Sequence, residues 1–101
     1  MSEPTFLILL SLATEPKHGY AIMQDVAQLS SGRVNLSTGT LYTALKRLLD
    51  DGWIEPTDNE AGPRGRRTYR LTGIGRTALL DETERLNALS AIAQQRLAGG
   101  T

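Results

Sequence analysis

The segment Ser37–Glu55, STGTLYTALKRLLDDGWIE, decides the fold of this chain of 101 residues. Ser37 and Thr38 are residue types that cap helix N-termini. The apolar residues that follow recur every three or four positions, as on one face of a helix: Leu41, Ala44, Leu45, Leu48 and Leu49. The segment DDG ends this pattern, and Gly52 suits a left-handed helix cap. We therefore predict a helix with one buried stripe that leads directly into a short strand, WIEP.

Two helices are predicted before this segment. The stretch FLILLSLA follows Pro4, and its Leu and Ala content favours a buried helix, although its periodicity alone would also fit a strand. A second helix is predicted from near His18, where YAIMQDVAQL places apolar residues at helical spacing. The segment RVNL at 33–36 is predicted to be a short extended strand between the second and third helices.

A β-hairpin and a long helix are predicted after it. RRTYRL alternates, with Tyr69 and Leu71 on one side, so it forms a half-buried strand that pairs with WIEP. The last helix begins at Thr72, or at Thr77 after a break at 73–75. This order predicts a mainly α fold with a small β-hairpin, a winged helix-turn-helix. We expect residues 1–74 to form that domain, 75–98 a C-terminal dimerisation helix and 99–101 a flexible tail.

The composition excludes several classes of protein. The chain has no Cys and one His, His18, which is more typical of a helix start than of a metal site or catalytic triad. We therefore expect no enzyme, no metal and no cofactor. The longest apolar run, FLILL, is far shorter than the roughly 18–20 residues of a membrane span. No membrane partner is expected, and the predicted location is the cytoplasm.

The formal net charge of zero conceals an asymmetry. Residues 1–60 carry 4 basic and 8 acidic side chains, whereas residues 61–101 carry 7 basic and 3 acidic ones. Five Arg and no acidic residue lie between Arg64 and Arg76. A neutral chain can therefore present a basic face, which is the surface that a phosphate backbone meets.

The outward face of the third helix is a candidate DNA-reading surface. It is free of acidic residues and combines a helix N-terminus, which favours anions, with hydroxyl groups that can contact bases. Its predicted members are Ser37, Thr38, Gly39, Thr40, Tyr42, Thr43, Lys46 and Arg47. An ordinary solvated helix surface is the alternative for these residues taken alone.

The hairpin supplies a second candidate surface. Arg66 and Arg70 project from one face of its second strand, and Arg64 lies in the loop before them. Arg67 lies on the other face, where it either joins the binding surface or anchors the hairpin. Such a wing can lie along the DNA backbone or reach the minor groove. The competing hypothesis is a winged-helix protein-interaction module that binds an acidic protein partner.

Three motifs in order resemble the PadR family of bacterial transcriptional regulators: HGYAI at 18–22, STGTLYTALKRLLDDGWIE at 37–55 and GRRTYRLTGIGRTAL at 65–79. The resemblance implies a homodimeric repressor of the short form that binds double-stranded DNA. The third helix would enter the major groove, and the wing would contact the flanking backbone or minor groove. His18, Gly19 and Tyr20 would lie at a phosphate contact, although Tyr20 could equally belong to the core.

The chain departs from the family pattern in two places. Thr43 stands where many members have Pro. Some short-form relatives bind a planar small-molecule effector at the dimer interface through an aromatic residue of the last helix, and this chain has no aromatic residue from Leu71 to Thr101. An effector held there by aromatic stacking is therefore not expected, although a small-molecule effector of unknown identity at the dimer interface stays open. Trp53 is predicted to be a core residue.

The last helix predicts a dimer. From Gly75 to Leu97 it would be about 34 Å long, too long for a small domain to cover. Its apolar residues would be buried by a two-fold mate, or by its own first helix if it folded back. The predicted dimerisation set is Leu79, Leu86, Leu89, Ile92, Ala93 and Leu97.

Overall fold

The computed structural model describes residues 1–57 and 67–99. These form four helices and three short strands, which confirms the predicted mainly α class with a small antiparallel sheet. In chain order the elements are α1 (Glu3–Ser11), β1 (Lys17–His18), α2 (Gly19–Leu29), α3 (Thr38–Asp50), β2 (Ile54–Pro56), β3 (Thr68–Leu71) and α4 (Gly73–Gly99). The described residues contain no helix that is both long and apolar enough to cross a membrane.

Side-chain caps fix where the helices begin. Ser37 Oγ accepts a hydrogen bond from the Thr40 amide at 3.1 Å, so the predicted start of α3 is confirmed. His18 Nδ1 accepts one from the Ala21 amide at 3.2 Å, which makes this residue the N-cap of α2. Thr72 Oγ1 accepts one from the Gly75 amide at 3.0 Å, so α4 starts after Thr72 and no break occurs at 73–75.

The third strand of the sheet is β1, and this differs from the sequence prediction. The predicted strand at 33–36 is absent, because Ser30 Oγ accepts a hydrogen bond from the Val34 amide at 2.9 Å in a turn after α2. Instead, two residues directly before α2 pair with β3, with Lys17 opposite Tyr69. The strand order is therefore β1-β3-β2. This pairing brings the start of α2 beside the base of the wing.

The core lies where α1, α2 and α3 meet the sheet. Ile8, Leu9 and Ile22 are fully buried there, together with Ile54 from β2. From α3 the predicted stripe is present, since Leu41, Leu45 and Leu48 are buried while Ala44 and Leu49 are half-buried. Trp53 packs against this core as predicted. The opposite face of α3 is therefore left to solvent.

The fourth helix extends beyond the rest of the molecule. Its 27 residues are about 40 Å long, and the molecule measures 57 × 28 × 21 Å. Only Gly75 and Leu79 of this helix are buried. Leu79, which was predicted in the dimerisation set, is 6% exposed and lies in the core of the single chain, because the first two turns of α4 pack on the domain. Large apolar residues farther along are exposed.

Candidate nucleic-acid interface

The outward face of α3 carries every residue predicted to lie there. Ser37, Thr38, Gly39, Thr40, Tyr42, Thr43, Lys46 and Arg47 are all exposed. The side chains of Ser37 and Thr40 are engaged in hydrogen bonds at the N-terminus of α3. Ser37 Oγ caps the helix and also donates to Thr40 Oγ1 at 2.9 Å. A Cβ added at Gly39 would meet nothing within 4 Å. The first turn is therefore low and open, so a polyanion can approach the free amide groups.

The two cations of α3 have different surroundings. Lys46 Nζ lies 3.4 Å from a carboxylate oxygen of Asp50, one turn farther along. Such an exposed pair stabilises a helix by only about 0.3–0.5 kcal/mol, so a phosphate can displace Asp50. Arg47 forms no ion pair within the part of the chain that the structure describes. It lies about 140° around α3 from Tyr42, at the opposite edge of the exposed face.

Tyr42 reaches toward the start of α2, where a cleft of about 150 Å³ is lined by His18, Gly19, Tyr20, Tyr42 and Arg67. The structure thus brings together members of all three predicted DNA-contact sets: the start of α2, α3 and the wing. Tyr20 is 59% exposed, so it is a surface residue rather than part of the core. The cleft adjoins the open face of α3 and continues its surface toward the wing.

The donors around this cleft suit a phosphate. Because His18 Nδ1 accepts the Ala21 amide, the neutral ring carries its proton on Nε2, which is then a donor. Tyr42 adds a hydroxyl group, and Arg67 is exposed at the cleft and adds a guanidinium. Arg67 therefore joins the cleft rather than anchoring the hairpin. Three donors from separate segments of the chain thus line one cleft, and donors of this kind bind anions.

Gly19 leaves space for the end of the Tyr42 side chain. A Cβ at Gly19 would lie 2.6 Å from the Tyr42 hydroxyl oxygen and 3.1 Å from Cζ. A side chain at this position would therefore displace the end of the tyrosine from the start of α2. Beneath it, burial raises the pKa of Tyr69 above 10.0, and Tyr42 adds to this rise while Arg67 opposes it. The Tyr69 phenol therefore stays neutral at physiological pH.

Where β2 and β3 pair, the wing carries less unpaired positive charge than the sequence indicated. Arg70 Nε donates to Glu55 at 2.7 Å, and the two residues are directly opposite each other on β3 and β2. Sequence reasoning missed this pair because only the strand register reveals it. Arg64 and Arg66, the other predicted wing residues, lie outside the described residues. Among the predicted wing residues the structure describes, Arg67 is thus the one without an ion pair.

A family model matches residues 8–81, a range that holds the α3 face and the cleft, and its description is "Transcriptional regulator PadR-like family". This chain belongs to the PadR-like family. A transcriptional regulator of Mycobacterium tuberculosis is 38% identical over 92 residues, which cover 91% of this chain and 80% of that one. The family consists of transcriptional regulators, in keeping with the predicted absence of enzyme chemistry.

Solved structures of PadR proteins share the fold. A PadR family transcription regulator from Clostridium difficile superposes with a TM-score of 0.76 at 28% identity, over 95% of this chain and 99% of that one. Bacillus subtilis PadR, solved in complex with operator DNA, has a TM-score of 0.70 at 25% identity. That match covers 82% of this chain and 46% of the Bacillus chain. The PadR resemblance that the sequence motifs indicated is thus confirmed.

Proposed function

We propose that this PadR-like protein is a sequence-specific DNA-binding repressor that acts as a homodimer on a pseudo-palindromic operator. In this proposal α3 lies in the major groove and the wing follows the flanking backbone or minor groove. The observation that carries it is the continuous surface formed by the outward face of α3 and the cleft beside it. Binding of operator DNA by Bacillus subtilis PadR, whose fold this chain shares, supports the same reading.

The two parts of this surface have different tasks. Thr43 and Lys46 lie at the centre of the outward face of α3, where side chains can reach base edges in the major groove. The cleft lies at the side of that face, and its donors hold one backbone phosphate. The phosphate contact fixes the orientation of the protein on the duplex, whereas the α3 contacts read the sequence.

The exposed stripe of α4 supports the homodimer. Leu86, Ala93 and Leu97 lie within about 40° of the azimuth of buried Leu79, so they continue the stripe that the first two turns bury on the domain. Leu89 lies about 80° from Leu79 and widens it, whereas Ile92 lies about 140° away, outside the stripe. A row of exposed apolar residues this long is typical of an interface. A two-fold mate that lays its own α4 along the stripe would bury both rows at once.

Fluorescence anisotropy with the DNA upstream of the protein's own gene tests the proposal. Affinity should fall steeply with salt, since each neutralised phosphate releases counterions. Arg67→Ala should weaken binding to every sequence and reduce the salt slope by about one, whereas Lys46→Ala should change the preference among operator variants. Arg96→Ala, which removes the same charge near the far end of α4, is the matched control and should leave the salt slope unchanged.

Two results would overturn parts of the proposal. Salt-independent binding, or no binding to that DNA at any salt concentration, excludes the DNA-binding role and leaves the protein-interaction module as the explanation. For the dimer, Leu86→Glu with Leu89→Glu should give a folded monomer by sedimentation, because both side chains are exposed in the single chain. A dimer that survives both substitutions would place the interface elsewhere.

A further inference from the structure

Asp50, the last residue of α3, adds a carboxylate to the outward face of that helix. It lies about 40° around the helix from Lys46 and about one turn farther along. Helical side chains lean toward the N-terminus, so the carboxylate leans back toward Lys46. Lys46 Nζ and Asp50 Oδ2 are 3.4 Å apart, and the two side chains are 78% and 66% exposed. One donor and one acceptor thus lie side by side on this surface.

This donor and acceptor match the edge of one base pair in the major groove. In a G·C pair the guanine O6 acceptor and the cytosine N4 donor are joined by a hydrogen bond, so they lie about 2.9 Å apart. Lys46 Nζ and Asp50 Oδ2 have nearly the same spacing and the opposite polarity. Because an exposed ion pair contributes little in water, both groups can turn to a base edge at little cost.

We propose that Lys46 and Asp50 together read one G·C base pair in each half of the operator. Lys46 donates to guanine, and Asp50 accepts from the amino group of the paired cytosine. This inference rests on the proposed function, which places α3 in the major groove. It makes Asp50 a specificity-determining residue, because its carboxylate attracts a donor on the base edge and repels an acceptor.

The four base pairs should then differ in affinity in a fixed order. Guanine offers Lys46 two acceptors, O6 and N7, and its cytosine partner offers Asp50 an amino donor. A T·A pair keeps an acceptor and a donor in these places, but it sets a methyl group beside Lys46 and adenine N7 beside Asp50. The reversed pairs, C·G and A·T, turn a donor toward Lys46 and an acceptor toward Asp50. The expected order is therefore G·C, then T·A, then the two reversed pairs.

The full chain is first used to select duplexes from a library with a randomised central segment. Four duplexes that differ at the selected G·C position are then compared by fluorescence anisotropy. We expect G·C to bind at least about tenfold more tightly than C·G, as is usual for a good base contact. Asp50→Ala should reduce this ratio to about threefold or less, because the carboxylate no longer repels the reversed guanine. Lys46→Ala should relax the preference at the same base pair.

Asp51→Ala is the matched control. Asp51 lies about 140° around α3 from Lys46, on the side that faces α4, and its replacement removes the same charge. It should change the affinity for all four duplexes equally and leave their order unchanged. Asp50 and Asp51 are both exposed, so both variants should keep the far-UV circular dichroism spectrum of the unaltered protein.

Three outcomes would overturn the inference and can be told apart from a failure of the proposed function. If Asp50→Ala changes all four affinities equally, as Asp51→Ala does, the carboxylate acts through its charge alone. If Lys46→Ala and Asp50→Ala relax different base-pair positions, the two residues do not read one pair. If the selected position is not G·C, the polarity argument is wrong. Failure to select or bind any duplex instead refutes the DNA-binding role itself, and the inference with it.

Discussion

A methyl group added at Gly75 should unfold the junction between the wing and α4. Its Cβ would lie 2.0 Å from the Trp53 carbonyl oxygen and 2.9 Å from Leu71 Cδ1, whereas ordinary contacts are 3.4–4 Å. The carbonyl cannot simply move away, because it accepts a hydrogen bond from the Thr72 amide at 3.1 Å. Overpacking costs about 1–3 kcal/mol, and contact with held backbone places Gly75→Ala at the upper end.

The matched control lies two residues earlier on the same helix. A Cβ at Gly73 would meet nothing within 4 Å. Because Ala is a better helix former than Gly by up to about 1 kcal/mol, Gly73→Ala should be neutral or stabilising. The two substitutions are chemically identical and differ only in what the new methyl group contacts.

Thermal unfolding followed by far-UV circular dichroism measures the difference. A loss of about 3 kcal/mol in a domain of this size lowers the Tm by about 12–24 °C, while Gly73→Ala should raise it by at most about 4–8 °C. Both variants must be compared at one protein concentration, because the Tm of the proposed dimer would depend on concentration. Equal shifts in the two variants would refute the close approach of α4 to Trp53.

Three further predictions concern single contacts. Gly19→Ala should displace Tyr42 from the cleft and lower DNA affinity about five- to tenfold in the anisotropy assay, with the fold retained. Glu55→Gln should free Arg70 and raise DNA affinity about two- to fivefold, with a steeper salt slope. Hydrogen bonds from Arg85 lower the pKa of Glu82 below 4.5. The ionised Glu82 carboxylate therefore stabilises the fold fully above pH 4.5, and this stabilisation is lost as the pH falls through the lowered pKa. The free energy of unfolding of the Glu82→Gln variant should therefore fall less on acidification than that of the unaltered protein.

The helix α3 was predictable because its signals are local. A capping residue, Ser37, directly precedes a regular apolar stripe, and both the cap and the stripe depend on neighbours within one or two turns. His18 as the start of α2 follows the same logic. The order of elements then limits the fold to a winged helix, because three helices and a hairpin leave few other ways to cover one small core.

Features that depend on distant partners were not predictable. The strand Lys17–His18 has only two residues and therefore no periodicity, and it becomes a strand only because β3 lies beside it. The pairing of Arg70 with Glu55 requires the register of β2 on β3. Leu79 belongs to the same stripe as Leu86, and the sequence does not show how many turns of that stripe the domain covers.

The junction after α3 determines how α3 and α4 are connected. Thr72 Oγ1 donates to the Gly52 carbonyl at 2.6 Å and accepts from the Gly75 amide, so the end of α3 and the start of α4 share one side chain. The tight contact of Gly75 with Trp53 closes the same junction from the other side. The end of α3 and the start of α4 are thus held together by contacts on two sides of the junction. In the proposed dimer, we expect a change in the angle between the two α4 helices to alter the distance between the two α3 helices.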